Sequence, residues 1–121
     1  MKITSSIVRG SFEFCDASGN LLKEIPYIVN ISRVADEVTK RRAELLKAQQ
    51  AADFEQIGAA VIQLLAAIFG EKTTKELFDF CAEDYVALMN DTLPVVATEI
   101  LPAVEQARKQ MIETKKLIKD A

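Results

Sequence analysis

The sequence predicts an α+β fold in which an N-terminal β-hairpin is followed by a bundle of about four helices. Three observations lead to this prediction. Apolar residues recur at every second position across residues 8–29, they recur at helical spacing beyond that region, and residues 58–70 ("GAAVIQLLAAIFG") contain a single polar side chain between their two glycines. The length of 121 residues suits one domain, with the hairpin in residues 1–31 and the helical part in residues 32–121.

The hairpin is predicted from two alternating segments on either side of a turn. The turn is "DASGN" at residues 16–20, a run of residue types that favour tight turns. Pro26 has no N–H for a ladder hydrogen bond, so we expect the second strand to be an edge strand or to be broken there. The apolar positions that share one face are Val8, Phe12 and Phe14 in the first strand, and Ile25, Tyr27 and Val29 in the second.

The first two helices are predicted from their termini and their apolar spacing. Ser32 is a plausible N-cap, and the first helix runs from there to about Gln49 with a thin apolar stripe. The second helix starts near Asp53, runs to Phe69 and ends at Gly70, a residue type that commonly terminates helices. Because this second helix is apolar on almost every side, we expect it to be the central element of the core.

The remaining two helices are predicted on either side of residue 91. Thr73 and Glu76 have the spacing of a capping box, so the third helix is expected to begin there and end near Asp91. The fourth begins at "TLPVV", with Pro94 in its first turn. Pro102 is expected to kink it, because proline removes one backbone hydrogen bond. The polar C-terminal end is expected to fray.

The predicted core combines the hairpin face with the apolar stripes of the last three helices. Its members are Phe12, Phe14, Ile57, Val61, Leu64, Leu65, Ile68, Leu77, Phe80, Tyr85, Leu88, Ile100 and Val104.

Composition argues against several classes of function. The net charge is −3, whereas a nucleic-acid-binding domain usually carries a strongly basic patch. Residues 58–70 span about 20 Å as a helix, too short for a bilayer core of about 30 Å. The sequence contains no histidine, the commonest general base and metal ligand. We therefore predict a cytoplasmic protein that is not an enzyme, with no catalytic residue, no metal, no cofactor, and no nucleic-acid or membrane partner.

Three groups of residues were weighed as possible chemical sites. Asp16, Ser18 and Asn20 have the first spacings of a calcium loop, but the later positions do not fit, so a turn is favoured. Asp79 and Glu83 could form a carboxylate pair, yet a solvated acidic helix face is the more common origin of such spacing. The two cysteines, Cys15 and Cys81, are interpreted as reduced, partly buried thiols rather than nucleophiles.

Charge is distributed unevenly along the chain. Residues 32–50 carry five basic and three acidic side chains, whereas residues 51–91 carry two basic and eight acidic. The "KRR" run at residues 40–42 could pair with the acidic region of another copy or a partner. Two separately solvated faces are the favoured interpretation, because exposed ion pairs contribute little.

Several stretches resemble small proteins encoded among phage and prophage tail genes, some of which are tail-assembly chaperones. These are "FEFCDASGNLLKEIPYIVNIS", the "RRAEL" helix, "IFGEKTTKELFDF" and "DYVALMNDTLPVVATEILP". The resemblance implies a cytoplasmic, self-associating assembly factor that coats a helical hydrophobic partner such as the tape-measure protein. It transfers no functional residue. The alternatives are a structural component of the virion, in its tail or head, and a small regulatory protein-binding module.

The surplus of apolar helix positions suggests where a protein partner would bind. We expect some of these side chains to stay partly exposed around the Pro102 kink and to form contacts with a partner or with further copies of the chain. The alternative is that they close one compact monomeric core. The residues of this predicted binding surface are Val95, Val96, Leu101 and Met111.

Overall fold

The computed structural model describes residues 6–51 and 53–120. Its architecture is a two-stranded antiparallel hairpin followed by helices, which confirms the α+β prediction. Because α4, a π-helical segment and α5 follow one another without a break, the helical part consists of four continuous helices. In chain order the elements are β1 (Ile7–Cys15), β2 (Leu21–Asn30), α1 (Ile31–Ala51), α2 (Phe54–Phe69), α3 (Glu71–Phe80), α4 (Tyr85–Val95), the π segment (Val96–Ile100) and α5 (Leu101–Asp120).

The hairpin has the predicted turn and the predicted inner face. The Asp16 carboxylate accepts hydrogen bonds from the backbone N–H groups of Ser18 and Asn20, both at 2.9 Å. These bonds hold the pKa of Asp16 below its ordinary value, with the Asn20 N–H as the largest contribution. The turn interpretation is therefore confirmed. Pro26 does not break β2, which pairs continuously past it and is an edge strand in this two-stranded sheet.

An aromatic cluster joins the hairpin to the end of α2. Phe12 and Tyr27 point from adjacent strands onto Phe69, with ring centroids 5.2 and 5.0 Å from that ring. Tyr27 lies opposite Gly10 in the register, and its ring occupies the space where a Cβ at that glycine would be. The hairpin, which would be marginal alone, is thus stabilised by packing on the helices.

The predicted termini of α2 are confirmed, whereas the prediction that Ser32 caps α1 is wrong. Asp53 accepts hydrogen bonds from two N–H groups of the first turn of α2, and Gly70 ends that helix with a positive φ of 86°. Ser32 lies inside α1, which begins at Ile31. The Ile31 N–H donates instead to the carbonyl of Ser6, the residue directly before β1, which takes over one role of a cap.

The third helix differs most from the prediction. α3 begins at Glu71, so Thr73 lies within its first turn, and α3 ends at Phe80 instead of near residue 91. Ala82 and Glu83 both adopt left-handed backbone conformations, with φ of 55° and 56°. The Glu83 N–H donates to the carbonyl of Phe78, a bond typical of a helix C-terminus. The chain then restarts at α4, whose first turn is capped by Asp84.

Pro94 and Pro102 both lie in the continuous helix from α4 to α5. Pro94 is inside α4, not in the first turn of a new helix as predicted. Ahead of Pro102, the backbone widens into the π segment, where the Leu101 N–H donates to the carbonyl of Val96. This widening accommodates a proline that has no N–H for the ordinary bond. The C-terminal end, which was expected to fray, is helical as far as Asp120.

Most of the predicted core is buried, with α2 at its centre. Ile57 and Phe14 are only partly buried against it. Two positions were predicted wrongly, since Phe80 is 41% and Tyr85 40% exposed. Both flank the break between α3 and α4, where the chain leaves the helical path that the prediction assumed. The core residues that sequence reasoning missed come mainly from α1, including Ala35, Val38 and Leu45.

Candidate functional site

An apolar groove runs between α2 and α3 on the outer side of the molecule. Its cavity has a volume of about 370 Å³, and we call it the α2–α3 groove. Ile62 and Ala66 form the α2 wall, and Phe78 forms part of the α3 wall; all three are half-buried. The complete lining is Ile62, Gln63, Ala66, Glu71, Thr74, Lys75 and Phe78.

The composition of α2 explains why this groove exists. Its core side is filled by bulky residues such as Leu64 and Leu65, whereas its outer side carries the small Ala66 beside Ile62. The small side chain leaves space that a larger one would fill. Thr74 is buried in the groove, but its hydroxyl donates to the Gly70 carbonyl at 2.8 Å, so it leaves no unpaired polar group facing the cavity.

Tyr85 supports the groove through Phe78 and is not itself part of the cavity lining. Its ring packs on Phe78 with centroids 4.9 Å apart, and it lies directly over Gly58 of α2. A Cβ at Gly58 would lie 2.8 Å from two atoms of that ring, so the glycine is what allows Tyr85 to approach. The break at Ala82 and Glu83 directs Tyr85 back toward α2. The break between α3 and α4, which the sequence did not predict, therefore contributes to the groove through the position of Tyr85.

The charged side chains that line the groove are Glu71 and Lys75, one of each sign, within a segment of the chain that is acidic overall. Residues 53–84 contain seven carboxylates and two lysines, and all nine charged side chains are exposed. Within the described part of the chain, the three ion pairs involve only α1 and α5. The carboxylates of residues 53–84 therefore form no ion pair with another described residue.

Of the four residues predicted to bind a partner, three are partly exposed as expected and one is buried. Val96 is only 2% exposed, so its expected partial exposure is wrong. It faces the core because the π segment turns it inward beside Ile100. Val95, Leu101 and Met111 are half-buried and pack against the core. Their role in partner binding stays a prediction.

A second set of cavities lies along β1, on the side that faces the continuous helix. Three cavities of about 230, 420 and 300 Å³ separate this strand from the continuous helix. Val95 lines two of them. Charged side chains of both signs, including Arg9, Glu13 and Glu99, mark their rims. This surface is more polar than the α2–α3 groove and is the second candidate for a contact.

The groups weighed as chemical sites have ordinary structural roles. Asp79 and Glu83 are both exposed, as expected for a solvated acidic face. Cys81 is buried, and burial together with the nearby charge of Asp91 raises its thiol pKa to about 11, which disfavours the reactive thiolate. Cys15 is exposed, so its expected partial burial is wrong. Among the residues that the structure describes, no acidic or cysteine cluster has the arrangement of a metal site.

The basic run at residues 40–42 is partly engaged within its own chain. Arg41 pairs with Glu37 at 2.8 Å and with Glu44 at 3.0 Å, and it donates to Gln63 of α2. These contacts raise the pKa of Arg41, chiefly through the hydrogen bond to Glu44. Arg41 therefore bridges α1 to α2 instead of reaching toward another molecule.

No helix within residues 6–51 and 53–120 is long and apolar enough to cross a membrane. Comparison with protein-family models, curated proteins and solved structures gives no match. The function is therefore inferred from the surfaces of this chain. The sequence contained a signal for the groove, because a helix apolar on all sides must either be covered completely or present an apolar face. The small residues on the outer side of α2 indicate the second possibility.

Proposed function

We propose that this protein is a non-enzymatic assembly chaperone that holds an apolar helical segment of a protein partner in the α2–α3 groove. The main support for this proposal is the open apolar cavity between α2 and α3, lined by Ile62, Ala66 and Phe78. Docking of an amphipathic helix into such a groove is a common mode of peptide recognition.

The resemblance to phage tail proteins suggests the kind of partner. A tape-measure protein is a long helical chain with many apolar segments, and such a chain needs cover until the tail tube forms around it. Under this proposal the protein acts in the bacterial host cytoplasm. A structural virion component and a small regulatory module remain the alternatives, and purified particles separate the first of these, because an assembly chaperone is absent from the finished virion.

Energetics indicate that one groove holds its partner weakly. Burying three apolar side chains contributes roughly 5–9 kcal/mol, and association costs roughly 4–15 kcal/mol in lost freedom. A single contact of this size is transient. Several copies bound along one long partner would hold it through multivalency, and each would still release readily when tube subunits arrive.

Co-expression with an apolar helical tape-measure segment tests the proposal. We expect the wild-type protein to keep the segment in solution and to copurify with it. The variant Ala66→Arg places a long cationic side chain over the groove and should lose copurification. Ala43→Arg, at an exposed alanine of α1, is the matched control and should retain it.

Both variants must first show the wild-type unfolding temperature, which is expected because neither alanine is fully buried. Equal capture of the segment by Ala66→Arg and by the wild type would exclude the groove as the binding site. Failure of the wild-type protein to hold the segment would exclude this partner class.

A further inference from the structure

The strand β1 has backbone hydrogen-bonding groups that point away from β2. The Ile31 N–H donates to the Ser6 carbonyl, so these two residues form a hydrogen-bonded pair at the end of the hairpin register. Bonded and non-bonded pairs alternate along an antiparallel ladder. The backbone groups of Arg9, Ser11 and Glu13 therefore face outward, whereas the residues between them bond to β2. Within residues 6–51 and 53–120, these outward groups have no backbone hydrogen-bond partner.

The other edge of the hairpin is less able to pair with a further strand. Pro26 lies opposite Ser11 at a non-bonded position, so its missing N–H leaves a gap in the outer edge of β2. The main contacts of α1, α2 and α3 with the sheet are also made to β2. A run of unpaired N–H and C=O groups on an edge strand is a template for pairing with another chain. In this hairpin that template is β1.

The continuous helix runs beside β1 in matching steps. Ser11 and Val95 line both the cavity of about 420 Å³ and the cavity of about 300 Å³, so the two cavities adjoin there. Going back along β1 from Glu13, the neighbouring helix residues advance from Asp91 toward Glu99. Two strand residues span about 6.6 Å and four helix residues about 6 Å, so the two walls stay in register. We call the space between residues 9–15 and residues 91–99 the β1 slot.

The two ends of the β1 slot differ in charge. The larger cavity is lined by Arg9 and Glu99, which have opposite signs, whereas the charged residues of the smaller one are the carboxylates Glu13 and Asp91. Within the described chain, the three ion pairs include none of these four side chains. The half-buried Val95 lies between the two ends. A complementary strand has an apolar side chain at Val95 and a basic one two residues away, at the carboxylate end.

We propose that an extended segment of a protein partner adds to the outer edge of β1 as a third strand, with a lysine or arginine between Glu13 and Asp91. In strand addition, main-chain hydrogen bonds supply affinity and alternate side chains supply specificity. A helical occupant would bond its own backbone internally and leave the outward groups of β1 unpaired. The β1 slot and the α2–α3 groove share no lining residue, so this inference does not depend on the proposed function.

Amide hydrogen exchange measured by NMR with a model peptide tests the proposal. The probe is a blocked seven-residue peptide of alternating threonine and valine, with lysine in place of valine at its sixth position. In the free protein we expect faster exchange at Arg9, Ser11 and Glu13 than at Gly10 and Phe12. Millimolar peptide should slow exchange at the three outward amides and leave the two between them nearly unchanged. A peptide with glutamate at the sixth position should bind about fivefold or more weakly.

Two substitutions separate the hydrogen bonds from the charge. Ser11→Pro removes one outward N–H without removing a bond to β2, and it should weaken binding about fivefold or more, whereas Ser11→Thr keeps the N–H and should bind as the wild type does. Asp91→Lys should reverse the preference, so that the glutamate peptide binds more tightly than the lysine peptide. A lysine peptide N-methylated at alternate residues tests the same hydrogen bonds without altering the protein, and it should not bind.

Four results would overturn the proposal. They are no binding of the lysine peptide at millimolar concentration, equal slowing of exchange at neighbouring β1 amides, undiminished binding of the N-methylated peptide, and protection of the outward amides that rises with protein concentration alone. The last result would show a second copy of the chain as the occupant. Ala66→Arg, which blocks the α2–α3 groove, should bind the lysine peptide as the wild type does, so the two sites are tested separately.

Discussion

The contact between Gly58 and Tyr85 allows a prediction that can be worked out in free energy. In Gly58→Ala the new methyl group would lie 2.8 Å from Cγ and Cδ1 of Tyr85, whereas carbon atoms pack best at about 3.5–4.0 Å. The ring must therefore retreat by about 0.7 Å or more. Cγ lies next to the backbone, so rotation of the ring tip cannot relieve the overlap, and the start of α4 has to move or the side chain has to change rotamer.

Two opposing contributions decide the stability of Gly58→Ala. Alanine is about 1 kcal/mol more favourable than glycine inside a helix. Overpacking costs about 1–3 kcal/mol and also disturbs the ring pair with Phe78. We expect the substitution to be neutral or to destabilise the wild-type protein by up to about 2 kcal/mol. In a Tyr85→Ala background, where the obstacle is absent, it should stabilise by about 1 kcal/mol.

A double-mutant cycle of urea unfolding, followed by circular dichroism, measures the coupling between the two positions. The expected coupling energy is about 1–3 kcal/mol. Independent sites add to within about 0.3–0.5 kcal/mol. If Gly58→Ala has the same effect with and without Tyr85, to within that margin, the close approach of Tyr85 to α2 is refuted, and with it the account of how the aromatic wall of the groove is built.

Three other predictions concern single positions. Gly10→Ala should destabilise by about 1–2 kcal/mol in urea unfolding, because Tyr27 is held in the aromatic cluster and cannot move away; equal stability would contradict that packing. The thiol pKa of Cys81, raised to about 11 by burial and Asp91, makes the folded protein hold a proton that the unfolded chain loses near pH 9. Stability should therefore fall between about pH 9 and 11 relative to Cys81→Ala, and parallel pH profiles would refute this linkage. Glu83→Gly should stabilise the protein by up to about 1 kcal/mol, because glycine adopts a left-handed conformation without strain. A loss of stability above about 0.5 kcal/mol, the order of the scatter between independent mutations, would be inconsistent with a φ of 56° at this position.

The parts of the fold that were predicted correctly rest on strong local signals. The alternation around Phe12 and Tyr27 predicted the hairpin, and "DASGN" located its turn. Asp53 and Gly70 marked the two ends of α2. The Asp53 carboxylate accepts hydrogen bonds from the first turn, and Gly70 adopts the positive φ that ends the helix. Signals of this kind depend on a few neighbouring residues, and tertiary packing does not override them here.

The break between α3 and α4 could not be predicted in the same way. The left-handed residue that ends a helix is usually glycine or asparagine, yet here Ala82 and Glu83 adopt that conformation. The apolar spacing of Leu77, Cys81 and Leu88 continues across the break, and so it suggested one helix. Tertiary packing determines this turn. The same limit affected Val96, whose inward orientation depends on the π segment.

The sequence indicated an incompletely covered helix but did not locate the groove on it. The apolar character of residues 58–70 indicated that α2 might not be covered on every side, and the groove lies on that helix. Which side stays open depends on how α3 packs against α2 after Gly70, and the sequence does not reveal that packing. Of the residues predicted around Pro102, only Val96 is buried, and the other three stay partly exposed.

Amide chemical shifts offer the most direct test that the α2–α3 groove binds apolar helices. The measurement titrates the ¹⁵N-labelled protein with the helical tape-measure segment. We predict that the shift changes concentrate on Ile62, Ala66 and Phe78. Changes concentrated on Val95 and Leu101, or no changes at any segment concentration, would contradict the account.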